Sequence, residues 1–434
     1  MSFRLSLAAL LLLLLPALGS SAEPKAIRDW SQKHLDEWTT LYRHLHSHPE
    51  LSFMEKETAA RIAEEFRKAG FEVTTGVGGH GVVGILKNGD GPKIMLRCDL
   101  DALPVPEQTG LAYASQVKVK DQQGNEVPVM HACGHDIHMT TVVGVGQYLA
   151  SHKDEWKGTV MLIGQPAEER GGGAKAMLED KLFDRFFKPD FALALHVFPE
   201  IPTGQLGYRA GYAMANVDAI DIIVKGKGGH GAFPHTTVDP IVQAAELILS
   251  LQTIVSRELK PTDPGVVTVG SIQGGSKHNI ISDKCTLQLT VRTYSDETRK
   301  HVLDAIERKA KAVAAAYRAP EPEIKLSEGT PALFNDEALT ARMKPVLEAA
   351  VGKGNITERE ATMGGEDFGR FGRAGVPIMM FSLGSIDAKR LERMKQLGQP
   401  LPSLHSPIYY PDSDETLVTG VTSLTCAALE LLKK

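Results

Sequence analysis

Lys93-Ile94-Met95-Leu96-Arg97-Cys98-Asp99-Leu100-Asp101 is the stretch on which the fold turns. Residues 93–98 read as a buried strand, and the strand runs straight into two aspartates. Two further segments repeat the pattern: 159–163 runs into Gln165-Pro166-Ala167-Glu168-Glu169, and 191–195 into His196. Between and before them lie a helical pattern over 29–67, a strand at 81–86 and a helix at 137–150. This alternation predicts an α/β fold with a mixed, largely parallel sheet and helices on its faces. In such sheets ligands bind beyond the carboxyl ends of the strands, so the acids and the imidazole are predicted to converge.

The style of the chain changes at about 216. A strand at 217–225, a helix at 240–259, strands at 265–272 and 284–294, a helix at 296–316 and a strand near 323–326 follow. That is the β-α-β-β-α-β order of a ferredoxin-like α+β unit, about right for one small inserted domain. The α/β style then resumes with a helix at 336–351 and a strand at 376–382. The predicted organisation is one domain in two parts, 23–215 and 331–434, interrupted by 216–330. Residues 1–22 read as a signal peptide: Arg4 is followed by an apolar run over 5–15, Pro16, and the small residues Ser20-Ser21-Ala22. An uncleaved anchor is the alternative. The expectation is export to a periplasm or the exterior, with no stable membrane anchor after cleavage.

The 434 residues are 42% hydrophobic and 23% charged, with 48 basic against 53 acidic residues and no basic tract or acidic tail. That balance argues against nucleic acid or an anionic membrane as partner. Four cysteines are few for a disulfide scaffold, and Cys98 and Cys285, each inside an apolar strand, read as small buried hydrophobes.

Cys133 has different neighbours. His131-Ala132-Cys133-Gly134-His135-Asp136-Ile137-His138 packs three His, one Cys and one Asp into eight residues ahead of a helix. Thiolate and imidazole are typical ligands of zinc and other first-row metals. A lone His here would be a helix cap and a lone Cys a core residue, but the cluster is poorly explained that way. Glu168-Glu169 follows a buried-type strand and a proline, where two unpaired like charges are costly to bury. A nearby cation resolves the cost: one Glu can hold it while its neighbour takes a proton from water. His230, between glycines, reads equally well as a turn residue, and Asn279 and Arg292 are similarly ambiguous.

Assembled, these residues resemble the M20 metallopeptidase family, most closely its amidohydrolase branch of N-acyl-amino-acid, hippurate and auxin-conjugate hydrolases. The motifs are Arg97 to Pro104, His131 to His138, Gln165 to Glu169, Gly226 to His235, Met363-Gly364-Gly365-Glu366-Asp367-Phe368 and Ser403-Leu404-His405-Ser406-Pro407. The resemblance implies one or two divalent transition metal ions, Zn²⁺ or Mn²⁺, held by Cys133, His135, Glu169, His196 and His405. It also implies Glu168 as general base, Asp101 as the acid that orients a ligand, and His230 as the oxyanion donor, acting across a dimer interface and assisted by Asn279. Arg292 would hold a substrate carboxylate, and the inserted domain would act as lid and homodimer interface. The implied substrate is a small N-acyl amino acid or a short peptide. Two departures from the family pattern stand out: Cys98, where Ala is usual, and 385–402, a charged and irregular stretch ahead of His405.

Three other functions compete with the amidohydrolase. An exported carboxypeptidase or dipeptidase would use the same chemistry. A non-catalytic metal-binding homologue should lack Glu168 or His230, and both are present. A solute-binding protein would leave the ligand cluster and the paired Glu unexplained.

Overall fold

The computed structural model of the chain describes residues 23–433; the signal-peptide reading of 1–22 lies outside them. Eight strands form the large sheet, in the order Glu72–Val77, Gly81–Asn88, Gly158–Gln165, Lys93–Asp99, Phe191–Pro202, Ile378–Ile386, Leu206–Tyr208 and Ile356–Glu358. The four central strands are mutually parallel, and antiparallel pairs flank them on both sides.

The quoted stretch shows why the sheet is buried on both faces. Ile94, Leu96 and Cys98 join one apolar core with Trp38, Tyr42 and Phe66, while Met95 joins the opposite core with Met161, Phe368 and Phe371. Alternation with period two sends successive side chains to opposite faces, and helices cover both. Helices Pro24–Ser47, His135–Ser151 and Ser413–Leu431 pack on one another over the first core.

The inserted unit has its own sheet, ordered Gly265–Gly274, Lys284–Thr293, Asn216–Lys225 and Glu323–Thr330, every pair antiparallel. Helices Pro240–Thr253 and Asp296–Ala316 close a separate core on it, built from Leu247, Leu251, Ile222, Leu287, Val302 and Ile306 among others. This is the ferredoxin-like order.

Several boundaries differ from the sequence reading. The helical pattern over 29–67 is two helices, Pro24–Ser47 and Lys56–Lys68, because Pro49 interrupts backbone bonding between them. His196 does not end its strand: Phe191–Pro202 continues because Ile378–Ile386 keeps pairing with it, Ser382 opposite His196. The convergence survives nonetheless. Asp99 pairs with Gln165 and Arg97 with Ala194, which puts His196 level with the carboxyl ends of its neighbours. The stretch 385–402 is not irregular throughout, since Ala388–Gln396 is a helix whose first turn is capped by the Asp387 carboxylate. The helix at 240–259 gives way after Thr253 to one wide π-turn, Ile254–Glu258. All four cysteines are unpaired and buried, and no helix of the described residues is long and apolar enough to cross a membrane.

Candidate metal centre

Gly134 sits at the start of the His135–Ser151 helix with φ +78°. A Cβ there would come within 2.5 Å of Val197 Cγ2, so the position requires glycine twice over, for its backbone and for its size. The turn it permits lets Cys133 and His135, on either side, face the same small volume.

Two imidazoles in that volume, His135 and His196, are oriented by a bond on the far side of the ring. His135 Nδ1 lies 2.8 Å from the Asp101 carbonyl oxygen, which makes that nitrogen the donor and leaves Nε2, buried and without a hydrogen bond, facing inward. His196 Nδ1 is 2.8 Å from the Val197 carbonyl oxygen, and its Nε2 lies 3.5 Å from Cys133 Sγ. His405 arrives from the C-terminal loop, its Nε2 3.3 Å from Cys133 Sγ and 3.4 Å from Glu169 Oε1. Glu169 Oε1, buried and without a hydrogen bond, is 3.8 Å from His135 Nε2. Cys133, His135 and His196 form one trio of donors within 4.8 Å of one another, and Cys133, Glu169 and His405 a second.

The backbone is held in costly conformations here. Ala167, just before the glutamate pair, has φ +49°, and His405 has φ +64°; non-glycine residues adopt this region only where surrounding structure imposes it. The Ala167 amide donates to the Glu55 carboxylate at 2.7 Å, and His405 N donates to the Ala132 carbonyl at 2.9 Å. Asp101 holds the same loop: its carboxylate accepts from the amides of Glu168 (3.1 Å) and Glu169 (3.0 Å) and from Ser52 Oγ (2.6 Å).

The electrostatics call for a cation. Burial, then Glu366 and Glu169, push the Glu168 carboxyl well above its ordinary range. Burial, then Glu169 and Glu168, do the same to the Cys133 thiol. Burial would depress His135, yet Asp99, Asp101 and Glu169 hold it up at about 10. A divalent ion supplies the positive charge that this acid-rich pocket lacks and reverses the penalty on the thiolate. Orphaned buried donors, a soft sulfur and surplus negative charge make the residues present a fit for such an ion.

Not every histidine of the 131–138 run serves it. His138 has both nitrogens engaged, one with Asp99 at 2.7 Å and one with the Val197 amide at 3.0 Å. His131 is buried with neither nitrogen bonded, and burial pushes its pKa down to about 4.

One cluster escaped the sequence reading. Arg97, in the middle of the quoted strand, is buried and donates to Asp99 (2.8 Å), Glu366 (2.9 Å), Asp367 (3.1 Å) and Gln165 (3.0 Å). Glu168, Glu366 and Asp367 lie within 4.8 Å of one another directly beside it. Only the burial of the charged residues in the Met363–Phe368 motif could have signalled this, and burial is not readable from that motif.

A cavity of about 900 Å³ opens over the donors, lined by Cys133, Glu168, Glu169, His196 and His405 and, on the side of the inserted domain, by Arg292. Arg292 is half-buried, its Nε donating to Thr290 Oγ1 at 2.9 Å. His230 and Asn279 do not line this cavity. They sit together on an exposed two-stranded ribbon, His230 opposite Ile280 and Gly231 N donating to the Asn279 carbonyl at 2.9 Å.

Residues 95–395 match Peptidase family M20/M25/M40. The chain belongs to this family. The M20 chain is 39% identical over 329 residues to the N-acetyl-L-cysteine deacetylase of Bacillus subtilis (strain 168), covering 76% of each protein. It is 36% identical over 364 residues to Thermostable carboxypeptidase 2 of Saccharolobus solfataricus, covering 82% of this chain and 88% of that one. A crystal structure of a dinuclear metal binding peptidase from the M20 family of Bacillus subtilis superposes with a TM-score of 0.75 at 31% identity, covering 94% and 99%.

Proposed function

We propose that this M20 protein hydrolyses the amide bond of N-acyl amino acids, using one or two divalent ions, Zn²⁺ or Mn²⁺, held by Cys133, His135, Glu169, His196 and His405. The observation that carries the reading is the convergence of Cys133, His135, Glu169, His196 and His405, with His135 Nε2 and Glu169 Oε1 buried and unbonded, beside a cavity that Glu168 and Arg292 also line. A metal held there acts as a Lewis acid toward the carbonyl and lowers the pKa of water from about 15.7 to about 7.

Glu168, whose Oε2 is 4.0 Å from His135 Nε2, takes the proton from the attacking water and delivers it to the departing amine. A carboxylate placed beside the donors can serve as base and then as acid in this way. Asp101 positions His135 and the Glu168–Glu169 loop. Arg292 binds the substrate carboxylate. His230, with Asn279, donates to the developing oxyanion of a second copy of the chain, since neither reaches the cavity of its own. The dimer would form through the lid, whose exposed Ile241, Val242, Leu249, Ile272 and Ile280 offer an apolar surface. The carboxypeptidase relative favours a second reading, with a peptide as the amide. The sequence of residues 1–22 supports export.

The test is hydrolysis of a panel of N-acyl amino acids and dipeptides by metal-free enzyme and by enzyme reloaded with Zn²⁺ or Mn²⁺. Metal-restored release of amino acid is expected, with dipeptide cleavage alone moving the protein to the second reading. Glu168→Ala should retain metal and lose about 10²–10⁴-fold in turnover, whereas Cys133→Ala and His135→Ala should lose both metal and turnover. Near-normal turnover in Glu168→Ala would remove the residue from its assigned role.

A further inference from the structure

The segment ahead of His405 has a role that the mechanism above leaves unused. It leaves the sheet at Ile386, forms the Ala388–Gln396 helix and returns to the cavity. Its base is fastened: Asp387 N donates to Asp412 at 2.6 Å, and the Arg390 guanidinium lies 3.5 Å from the centre of the Tyr410 ring and donates to the Tyr410 carbonyl at 3.0 Å. No residue of the helix is buried, so the excursion adds little to the core. What it delivers is the run Leu401–His405, all of which lines the cavity. Leu401 is 47% exposed although it forms part of that wall. Together with Phe198 and Leu404, which line the same cavity, it gives the cleft the apolar lining typical of small-molecule sites.

The wall is continuous with the candidate metal centre at two points. Leu404 precedes His405, and Phe198, two residues after His196, packs its ring 5.3 Å from the His196 ring. Arg359 lies 4.1 Å over Phe198 but is ion-paired to Glu200, so its charge is already matched. The guanidinium of Arg292 belongs to the lid side. Arg292, the donor cluster and Phe198, Leu401 and Leu404 all line this one cavity, so a substrate with its carboxylate at Arg292 and its amide carbonyl at the donors can lay its acyl chain against these three side chains. The cavity of about 900 Å³ is near the top of the range, roughly 300–1,000 Å³, typical of sites for drug-sized ligands, and far exceeds what an acetyl group fills.

Resting on the amide-hydrolase reading, we infer that Leu401 determines acyl specificity: with Phe198 and Leu404 it forms an apolar wall that selects linear acyl chains longer than acetyl. Desolvation of each added methylene against this wall strengthens binding about fourfold, until the chain outgrows it.

The experiment measures both affinity and kcat/KM for one amino acid acylated with chains from acetyl to decanoyl. It uses the metal-reloaded full chain, Leu401→Ala and Leu401→Glu, with metal content quantified in each. Leu401 is exposed, so both variants should fold. The wild type should gain about threefold to fourfold per methylene over the first several carbons. Leu401→Ala should lose most of that slope, and Leu401→Glu should remove it. A flat wild-type profile, or a slope unchanged in both variants, overturns the assignment. Affinity that rises with chain length while no amide is cleaved would support the wall and sink the hydrolase reading. Cleavage with no dependence on chain length would do the reverse.

Discussion

Arg97 illustrates how much a single buried charge can decide. Three carboxylates, Asp99, Glu366 and Asp367, share its guanidinium, and Glu168 lies within 4.8 Å of the last two. Removing the cation while leaving its partners is the costly direction, because uncompensated negative charge remains in the interior. Arg97→Met should therefore lose about 3–5 kcal/mol of stability, read as the shift in denaturation free energy; a loss below about 1 kcal/mol would show that water or protons replace the guanidinium. His46 offers a pH-dependent test. Burial favours its neutral form, but hydrogen bonds to Asp136 at 2.7 Å and Glu107 at 3.0 Å raise its pKa from 6.5 to about 9. A pKa raised by folding gives stability that is complete below about 6.5 and is lost as the pH climbs through about 9. The stability gap between wild type and His46→Gln, at most about 3 kcal/mol, should shrink over that interval, and a gap independent of pH would show that His46 acts by packing alone. The candidate ligands were flagged only in part by local chemistry, Cys133 and His135 in a dense run and Glu169 and His196 after apolar strand-like runs, and their grouping as one ligand set came from the resemblance. Arg97 was not. It reads as an interruption of an apolar run, and two of its partners, Glu366 and Asp367, come from far along the chain. His405 was legible only through resemblance, since nothing in its immediate neighbours marks a ligand.

At the scale of elements, helix starts and strand ends position the chemistry. The His135–Ser151 helix begins on Gly134 in a left-handed conformation, with Val197 filling the place of a side chain. Gly134→Ala should cost at least about 1–2 kcal/mol from backbone strain alone. It should also weaken metal affinity, because Cys133 and His135 can no longer face one point; calorimetric metal titration of the variant checks this, and wild-type affinity would separate the turn from the site. The order of elements followed from periodicity, including the whole ferredoxin-like unit. What periodicity missed were elements fixed by partners rather than by pattern. The strand through His196 continues to Pro202 because a neighbour supplies hydrogen bonds, and the short strand Leu206–Tyr208 is held between Ile378–Ile386, antiparallel, and Ile356–Glu358, parallel. The helix Ala388–Gln396 was masked by its charge, which a solvated helix tolerates and an irregular loop shares.

For the whole molecule, the lid presents a question of assembly. Seven of the thirteen exposed large apolar residues among those described fall between Phe233 and Ile280, beside the unpaired edge of the Gly265–Gly274 strand. Such an edge invites pairing with an identical one. Leu249→Glu combined with Ile272→Glu should convert a dimer to a monomer in sedimentation and remove most turnover; a wild type that is monomeric and fully active would rule out His230 acting in trans. The lid also bears on how the chain is made. Its sheet and helices come from one uninterrupted stretch and can close as soon as that stretch leaves the ribosome. The large sheet cannot, because Phe191–Pro202 waits for Ile378–Ile386, and the first helix, Pro24–Ser47, waits for the last, Ser413–Leu431. During synthesis the small domain thus hangs, finished, from a larger one with an open edge, a stage at which chains of this kind are most prone to stick to one another. The nineteen-residue helix Ser413–Leu431 packs on the Pro24–Ser47 helix, so a chain cut short before it should carry a folded lid on a core that cannot close.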